Sequence, residues 1–484
     1  MTSTDETLPG TAGGPEPGAG DSTREYGRTA GFLTIGVGLT GLLTYAFFFI
    51  AAHSLGKEDY GEITVLWSAV FITVSTLYRP IDQLLSRHIS EHVERGEADT
   101  APVRVAAKIQ AALALLFAVV ALALKGPLEN GLLGGNTTLY WVFFSSVLFY
   151  AASYYARGYL AGHQQFGLFT TLILSESLFR TLFAALVAIG LLSGQSMVAM
   201  GIVAAPLLSL IVVPPAIARR RRREAEAALA ARRERAREPG ADGDAARDEE
   251  FSMANGAGFV GSVFLIMFSE QVFLNAGPLV VKSIEGVAAA GFIFNVLMIA
   301  RAPLQLFQAV STSILPHLTS LHHSSDPDSE RQFHRSVRMV LLGLLAFTAV
   351  SALAMMIAGP KLMQLAFSDK FTYDRLDLLI VTAGMGLYLA AVTVNQACLA
   401  QGQARRASIR WISCAVFFIA WTLLPFIADG NLRVEIGFTL TALVLFGSLV
   451  WIFRRPRGIE ADVPLEGSSE DIETRLAGYE EGNL

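Results

Sequence analysis

The chain has 484 residues, 52% of them hydrophobic and only 16% charged, with a formal net charge of −5. That balance excludes a soluble catalytic domain, whose surface needs about a quarter of its residues charged. Two cysteines, Cys398 and Cys414, sit in or beside apolar runs and offer neither a disulfide framework nor metal-ligand spacing, so no cofactor and no metal is expected.

Residues 1–23 are rich in Gly, Pro, Thr and acidic side chains and read as a disordered tail, not a signal peptide. Twelve apolar runs follow, near 30–52, 61–78, 105–124, 137–156, 166–192, 196–216, 256–281, 286–315, 339–358, 378–400, 411–427 and 434–453. A helix crosses about 30 Å of hydrocarbon with about 20 such residues. The predicted fold class is an all-α polytopic membrane protein whose twelve transmembrane helices form two six-helix bundles, residues 24–217 and 251–455. The charged segment 218–250 joins them, and an acidic, disordered tail occupies 456–484.

The linker sequence ARRRRREAEAALAARRERAREPG abuts span 6 and predicts a helical extension on the cytoplasmic leaflet. There each arginine gains about 1 kcal/mol near anionic lipid, so membrane lipids rather than nucleic acid are its expected partner.

Arginines gather in the connections after even-numbered spans. The opposite side holds Lys57, Lys125, Lys282, Lys361, Lys370, Arg375 and Arg433. The positive-inside rule therefore predicts both termini in the cytoplasm of a multi-pass plasma-membrane protein. Trp141, Trp411 and Trp451 fall near span ends, where an indole suits the interface.

The two halves repeat. Span 1 opens Ala30-Gly31-Phe32 and span 7 opens Ala257-Gly258-Phe259. Tyr159-Leu-Ala-Gly162-His-Gln164 follows span 4, and Cys398-Leu-Ala-Gln-Gly402-Gln403 follows span 10. Matches at these ranks imply a parallel repeat about an axis along the membrane normal, with a path between two bundles. Thr34, Gly38, Gly41 and Tyr45 share one helix face and predict a packing seam.

A charge at mid-membrane costs about 2.5–3.5 kcal/mol on insertion scales, so each one present needs an explanation. Glu176 and Arg180 in span 5 are four apart and can neutralise each other. Span 7 carries Glu270, Gln271 and Asn275, and span 10 carries Asn395 and Gln396. In span 8, Arg301, Gln305, Gln308 and Thr312 form a polar stripe and predict a cavity wall. Arg28, Arg79 and Lys108 are candidates for a cytoplasmic mouth, the last two read best as snorkelling to headgroups. Span 4 is aromatic, and Tyr150 and Tyr154 on one face read as interfacial or lipid-facing packing.

These groups leave a slight positive excess. Arg301 can grip a phosphate bidentately, so the path suits an anionic headgroup such as a diphosphate. Moving two negative charges out of a negative interior releases about 4–5 kcal/mol at about 100 mV. No phosphate-binding loop, zinc-protease or serine-hydrolase motif is present, so no catalytic residue and no enzyme activity is expected.

Further motifs are Leu55-Gly-Lys-Glu-Asp-Tyr60-Gly61, Arg157-Gly-Tyr-Leu-Ala-Gly162-His-Gln-Gln-Phe166, Ala290-Gly-Phe-Ile-Phe294 with Pro303, and Ile314-Leu-Pro316-His-Leu318. In this order they resemble the polysaccharide or O-antigen flippases of the multidrug/oligosaccharidyl-lipid/polysaccharide (MOP) exporter superfamily. The resemblance implies a V-shaped pair of bundles working by alternating access. It also implies flipping of a lipid-linked oligosaccharide, a sugar chain on polyprenyl diphosphate, from cytoplasmic to outer leaflet for surface polysaccharide biosynthesis. Cationic cavity residues hold the diphosphate in such families, and Arg301 lies in the expected span. Span 1 has no internal arginine, unlike the peptidoglycan-precursor flippases, and twelve spans favour the polysaccharide type.

The lipid-linked glycan is thus the expected substrate, H+ or Na+ a candidate coupling ion, and a polysaccharide polymerase or ligase a candidate partner. A cation-coupled multidrug or small-molecule exporter of the same superfamily is the alternative, and would want acidic residues in spans 1 and 2, where only Glu62 stands at an edge. A non-transporting scaffold has no use for the stripe on span 8. A major-facilitator carrier does not fit the long connection from Arg79 to Gly96.

Overall fold

Long apolar runs without period-two alternation fold as helices, and every regular element among the described residues is helical. The computed structural model describes residues 19–94, 100–212, 214, 253–302, 327–371 and 373–454. The linker 218–250, the tail after 454, and Gln305, Gln308 and Thr312 lie outside the described residues.

The elements are α1 (Ala19–Ser54), α2 (Lys57–Leu77), α3 (Arg79–Glu94), α4 (Thr100–Ala123), α5 (Thr137–Gly162), α6 (Phe166–Ala188), α7 (Gln195–Ser209), α8 (Met253–Glu285), α9 (Val287–Ala302), α10 (Pro327–Phe367), α11 (Arg375–Ala400), α12 (Ala404–Leu423) and α13 (Gly430–Phe453). Among the described residues nine spans are long and apolar enough to cross a membrane, α2 and α3 counting as one. The shorter α7 and α9, and the tyrosine- and serine-rich α5, complete twelve.

The connection after span 2 is helical, not a loop. Tyr78 and Asp82 keep the i to i−4 ladder through the junction, donating to Val74 and Tyr78 at 2.9 and 3.0 Å. Pro80 falls in the first turn of α3, where a missing N–H is tolerated.

The helices pack as two lobes with one pattern. In the first, α1 lies on α6, α6 and α5 on α7, and α4 on α5; in the second, α8 lies on α12, α12 and α11 on α13, and α10 on α11. Local chemistry repeats as well. Asn136 and Asp374 cap α5 and α11 with their side chains. Gln164 and Gly402 take the left-handed conformation, at φ 54° and 72°. The next residues, Gln165 and Gln403, donate back to Leu160 and Cys398 at 2.8 and 2.9 Å, closing the same helix-terminating motif. Gln164 therefore corresponds to Gly402, and the sequence match is out of register by one residue.

The α5–α6 and α11–α12 connections lie at one end of the molecule, here proximal; the α1–α2 and α8–α9 connections lie at the other, here distal. The lobes are bound together distally. Lys370 donates to the carbonyls of Leu55, Ala52 and His53 at 2.6, 3.2 and 3.3 Å, satisfying the C-terminus of α1. Lys282 donates to Gly131 and Leu132 at 2.7 and 2.5 Å. Tyr60 donates to Asn295 at 2.5 Å, and Asn295 donates to Tyr373 at 2.8 Å. Burial raises the Tyr373 phenol well above its ordinary range, so it stays neutral.

Three sequence expectations change. Trp411 is 1% exposed because its helix starts at Ala404, which puts the indole inside the second lobe against Phe273. Tyr150 and Tyr154 are buried, not lipid-facing, because each touches an arginine described below. A Cβ at Gly38 would meet nothing within 4 Å, whereas one at Gly36 would strike Thr170, so Gly36 packs closely and Gly38 does not.

Candidate functional site

Arg301 stands one residue before the end of α9 and lies near Tyr45 of α1, Tyr388 of α11 and Glu270 of α8. Its Nε–H is buried and has no hydrogen-bond partner among the described residues. Tyr45 donates to the Met298 carbonyl at 2.9 Å, which ties α1 to α9 just before the arginine. Glu270 stands fifteen residues from the end of α8 and Arg301 fourteen from the start of α9, so both lie about 20 Å from the distal end at 1.5 Å per residue.

Glu270 pairs across the lobe boundary with Arg79, the first residue of α3, at 3.8 Å. Their side chains are 21% and 39% exposed, so this seam is only partly closed. Tyr388 lies near Glu270 and Arg301, and among the described residues its buried hydroxyl has no hydrogen-bond partner. Arg79 thus meets a carboxylate from the other lobe instead of snorkelling.

In the first lobe Glu176 is 4% and Arg180 3% exposed. They approach to 3.9 Å as their spacing predicts, but the closer partner of Glu176 is Arg157 of α5, at 2.6 Å. Ser153 also donates to Glu176, at 3.2 Å. Arg180 donates to Thr44 and Ser177, each at 3.2 Å, and lies 4.5 Å from the Trp67 ring centroid. Arg157 stacks 4.5 Å from the Tyr154 ring centroid. Such flat-face contacts help a desolvated guanidinium stay charged.

Asp82 of α3 lies between the two groups, in the fields of both Arg79 and Arg157. The charges then alternate through the molecule: Arg301, Glu270, Arg79, Asp82, Arg157, Glu176, Arg180. Four cations face three anions, a small positive excess that an anionic ligand could balance.

The other candidates lie elsewhere. Gln271 and Asn275 are buried and bond to each other at 3.1 Å. Asn395 accepts from the Trp411 indole at 2.9 Å inside the second lobe, while Gln396 is exposed. Lys108 is exposed on α4, and the Arg28 side chain lies outside the described residues. Sequence reasoning missed Tyr45, Asp82, Arg157 and Tyr388 as site members. The repeat carried a usable signal for one: Tyr150 and Tyr388 occupy the same position of α5 and α11, each beside a buried charge.

The sequence matches no protein-family model and no curated protein. Solved structures share its fold. An inward-facing multidrug resistance MATE family transporter of the MOP superfamily is 12% identical, with 93% of this chain and 99% of that chain covered and a TM-score of 0.61. A mutant of the Vibrio cholerae MATE transporter VcmN is 15% identical, with 90% and 97% covered and a TM-score of 0.59. A MATE structure in the bent conformation is 12% identical, with 88% and 94% covered and a TM-score of 0.56. The chain therefore has the two-bundle fold of these MOP-superfamily transporters.

Proposed function

We propose that the protein is a membrane transporter that flips a lipid-linked oligosaccharide, a polyprenyl diphosphate sugar, from cytoplasmic to outer leaflet by alternating access. In this reading the proximal end faces the cytoplasm of a plasma-membrane protein, as the arginine distribution favours. The linker 218–250 then lies on the cytoplasmic leaflet between lobes 24–217 and 251–455. The observation that carries the reading is the buried Arg301 Nε–H, without a partner among the described residues, beside two tyrosines at the partly exposed seam. A buried donor left unmade costs about 1–3 kcal/mol, and a diphosphate oxygen would satisfy it. The small positive excess along the seam supports the same cargo.

A multidrug or small-molecule exporter is the second reading. It is favoured by the solved neighbours and by the partly exposed Glu270 carboxylate, which suits a cationic cargo or a coupling H+ or Na+. A polysaccharide polymerase or ligase is a partner only under the first reading. Purified protein in liposomes, supplied in parallel with a labelled polyprenyl diphosphate sugar and a fluorescent organic cation, separates them. Flipping of the diphosphate lipid alone supports the first, and uptake of the cation alone overturns it.

A further inference from the structure

At the distal corner of the second lobe, α11 and α13 meet through carboxyls. Glu435, in the second turn of α13, is 0% exposed, and among the described residues neither carboxylate oxygen has a hydrogen-bond donor. Thr439 of α13 donates to the Ile380 carbonyl of α11 at 2.9 Å, and one turn earlier on these two helices, which run the same way, Glu435 meets Asp377, in the first turn of α11.

The remaining charges do not relieve this contact. Asp374 and Asp429 add negative field and are engaged as helix caps, with Asp374 accepting from the Arg375 amide and Asp429 from the Asn431 and Leu432 amides. From α8, Glu285 accepts from the Gly430 amide at 2.9 Å. Arg433 is turned to the carbonyls of Ile427, Thr422 and Ala428 at 2.8, 3.3 and 3.4 Å. Arg375 and Lys361 of α10 are exposed, and the arginines of α12 stand at its proximal half.

The first lobe shows what this corner needs for packing alone. Leu139 holds the position of Asp377, third after a side-chain cap in α5 and α11 alike. Gly201 packs on Phe183 as Gly437 packs on Trp421, so Ala199 holds the position of Glu435. Leu139 and Ala199 are both fully buried and apolar. A carboxyl pair is therefore not a packing requirement of the fold.

Two carboxylates are acceptors only, and they can bond to each other only through a hydrogen held between them. We propose that Asp377 and Glu435 form a proton-binding site, one hydrogen shared between the two carboxyls, that ties α11 to α13 at the distal end. The partly exposed Asp377 is the route by which the proton exchanges with distal water. Its departure leaves two facing carboxylates that repel, loosening this corner in response to the acidity of that compartment. The inference is independent of what the protein transports.

Infrared spectroscopy of the full-length protein in lipid nanodiscs tests it, because a protonated carboxylic acid has a carbonyl stretch that carboxylates lack. Wild type should show such a band that disappears as pH is raised. Glu435→Gln and Asp377→Asn, each of nearly unchanged shape, should each lack it, and Asp429→Asn should retain it. The absence of an acid band in wild type at every pH overturns the proposal. So does a band that persists in both of the first two variants, since the proton then resides elsewhere.

Discussion

Gly61 and Gly291 meet across the lobe boundary: a Cβ on Gly291 would stand 3.3 Å from the Gly61 Cα. Each is the fifth residue of its helix, α2 or α9, so the repeat relates one to the other. Equivalent residues touch only where the axis between two lobes passes. The contact thus marks the axis at the closed distal end, the pivot about which the proposed alternating access would turn.

Gly61→Ala should disturb this pivot. Its Cβ would strike the Val287 carbonyl, which is backbone and cannot turn aside. Overpacking of this kind costs about 1–3 kcal/mol. Gly291→Ala should be milder, because its nearest neighbours, the Tyr60 ring at 3.2 Å and the Gly61 Cα at 3.3 Å, need to give by only a few tenths of an ångström. Thermal unfolding in nanodiscs checks the order, and equal melting of both variants and wild type would remove the pivot.

Lys370→Met should favour the distally open form. The ammonium holds three carbonyls of the other lobe, the shortest at 2.6 Å. Losing even about 1.4 kcal/mol of this contact changes the balance about tenfold. Spin-label distances across the distal end should show a longer population in the variant, and an unchanged distribution would show that the latch carries little of the closure.

Glu176→Gln should destabilise more than the loss of one hydrogen bond. It leaves Arg157 and Arg180 buried without their shared counter-charge, a cost of about 3–5 kcal/mol. The double variant Glu176→Gln, Arg157→Met should recover part of this loss. A double-mutant cycle on melting gives the coupling, and strict additivity would dissolve the pair.

Glu270→Gln should release Arg79 and loosen the proximal seam, where the pair is 3.8 Å apart. Transport by the variant should lose any dependence on pH or Na+ that wild type has. Identical dependence in both proteins would take Glu270 out of ion coupling.

The spans were legible because apolar length alone defines them, and Glu176–Arg180 because four residues bring side chains together on one helix. Partners supplied by another helix were not. Nothing in the sequence joins Arg79 to Glu270 or Arg157 to Glu176, since each contact depends on how α3 meets α8 and α5 meets α6. The repeat was visible but misaligned, because Gln164 does in one lobe what glycine does in the other. Trp411 misled through a span boundary set seven residues late, and Asp377 with Glu435 escaped notice at the span ends.

The central claim is that an acidic lipid head passes along the seam by way of Arg301. The direct measurement is leaflet-resolved flipping of a labelled polyprenyl diphosphate sugar by wild type, Arg301→Lys and Arg301→Ala in liposomes of matched protein content. The account predicts flipping by wild type, partial flipping with lysine, and with alanine a loss of at least about tenfold, the equivalent of one charge-assisted hydrogen bond. Equal flipping by all three proteins, each inserted and folded, would contradict it.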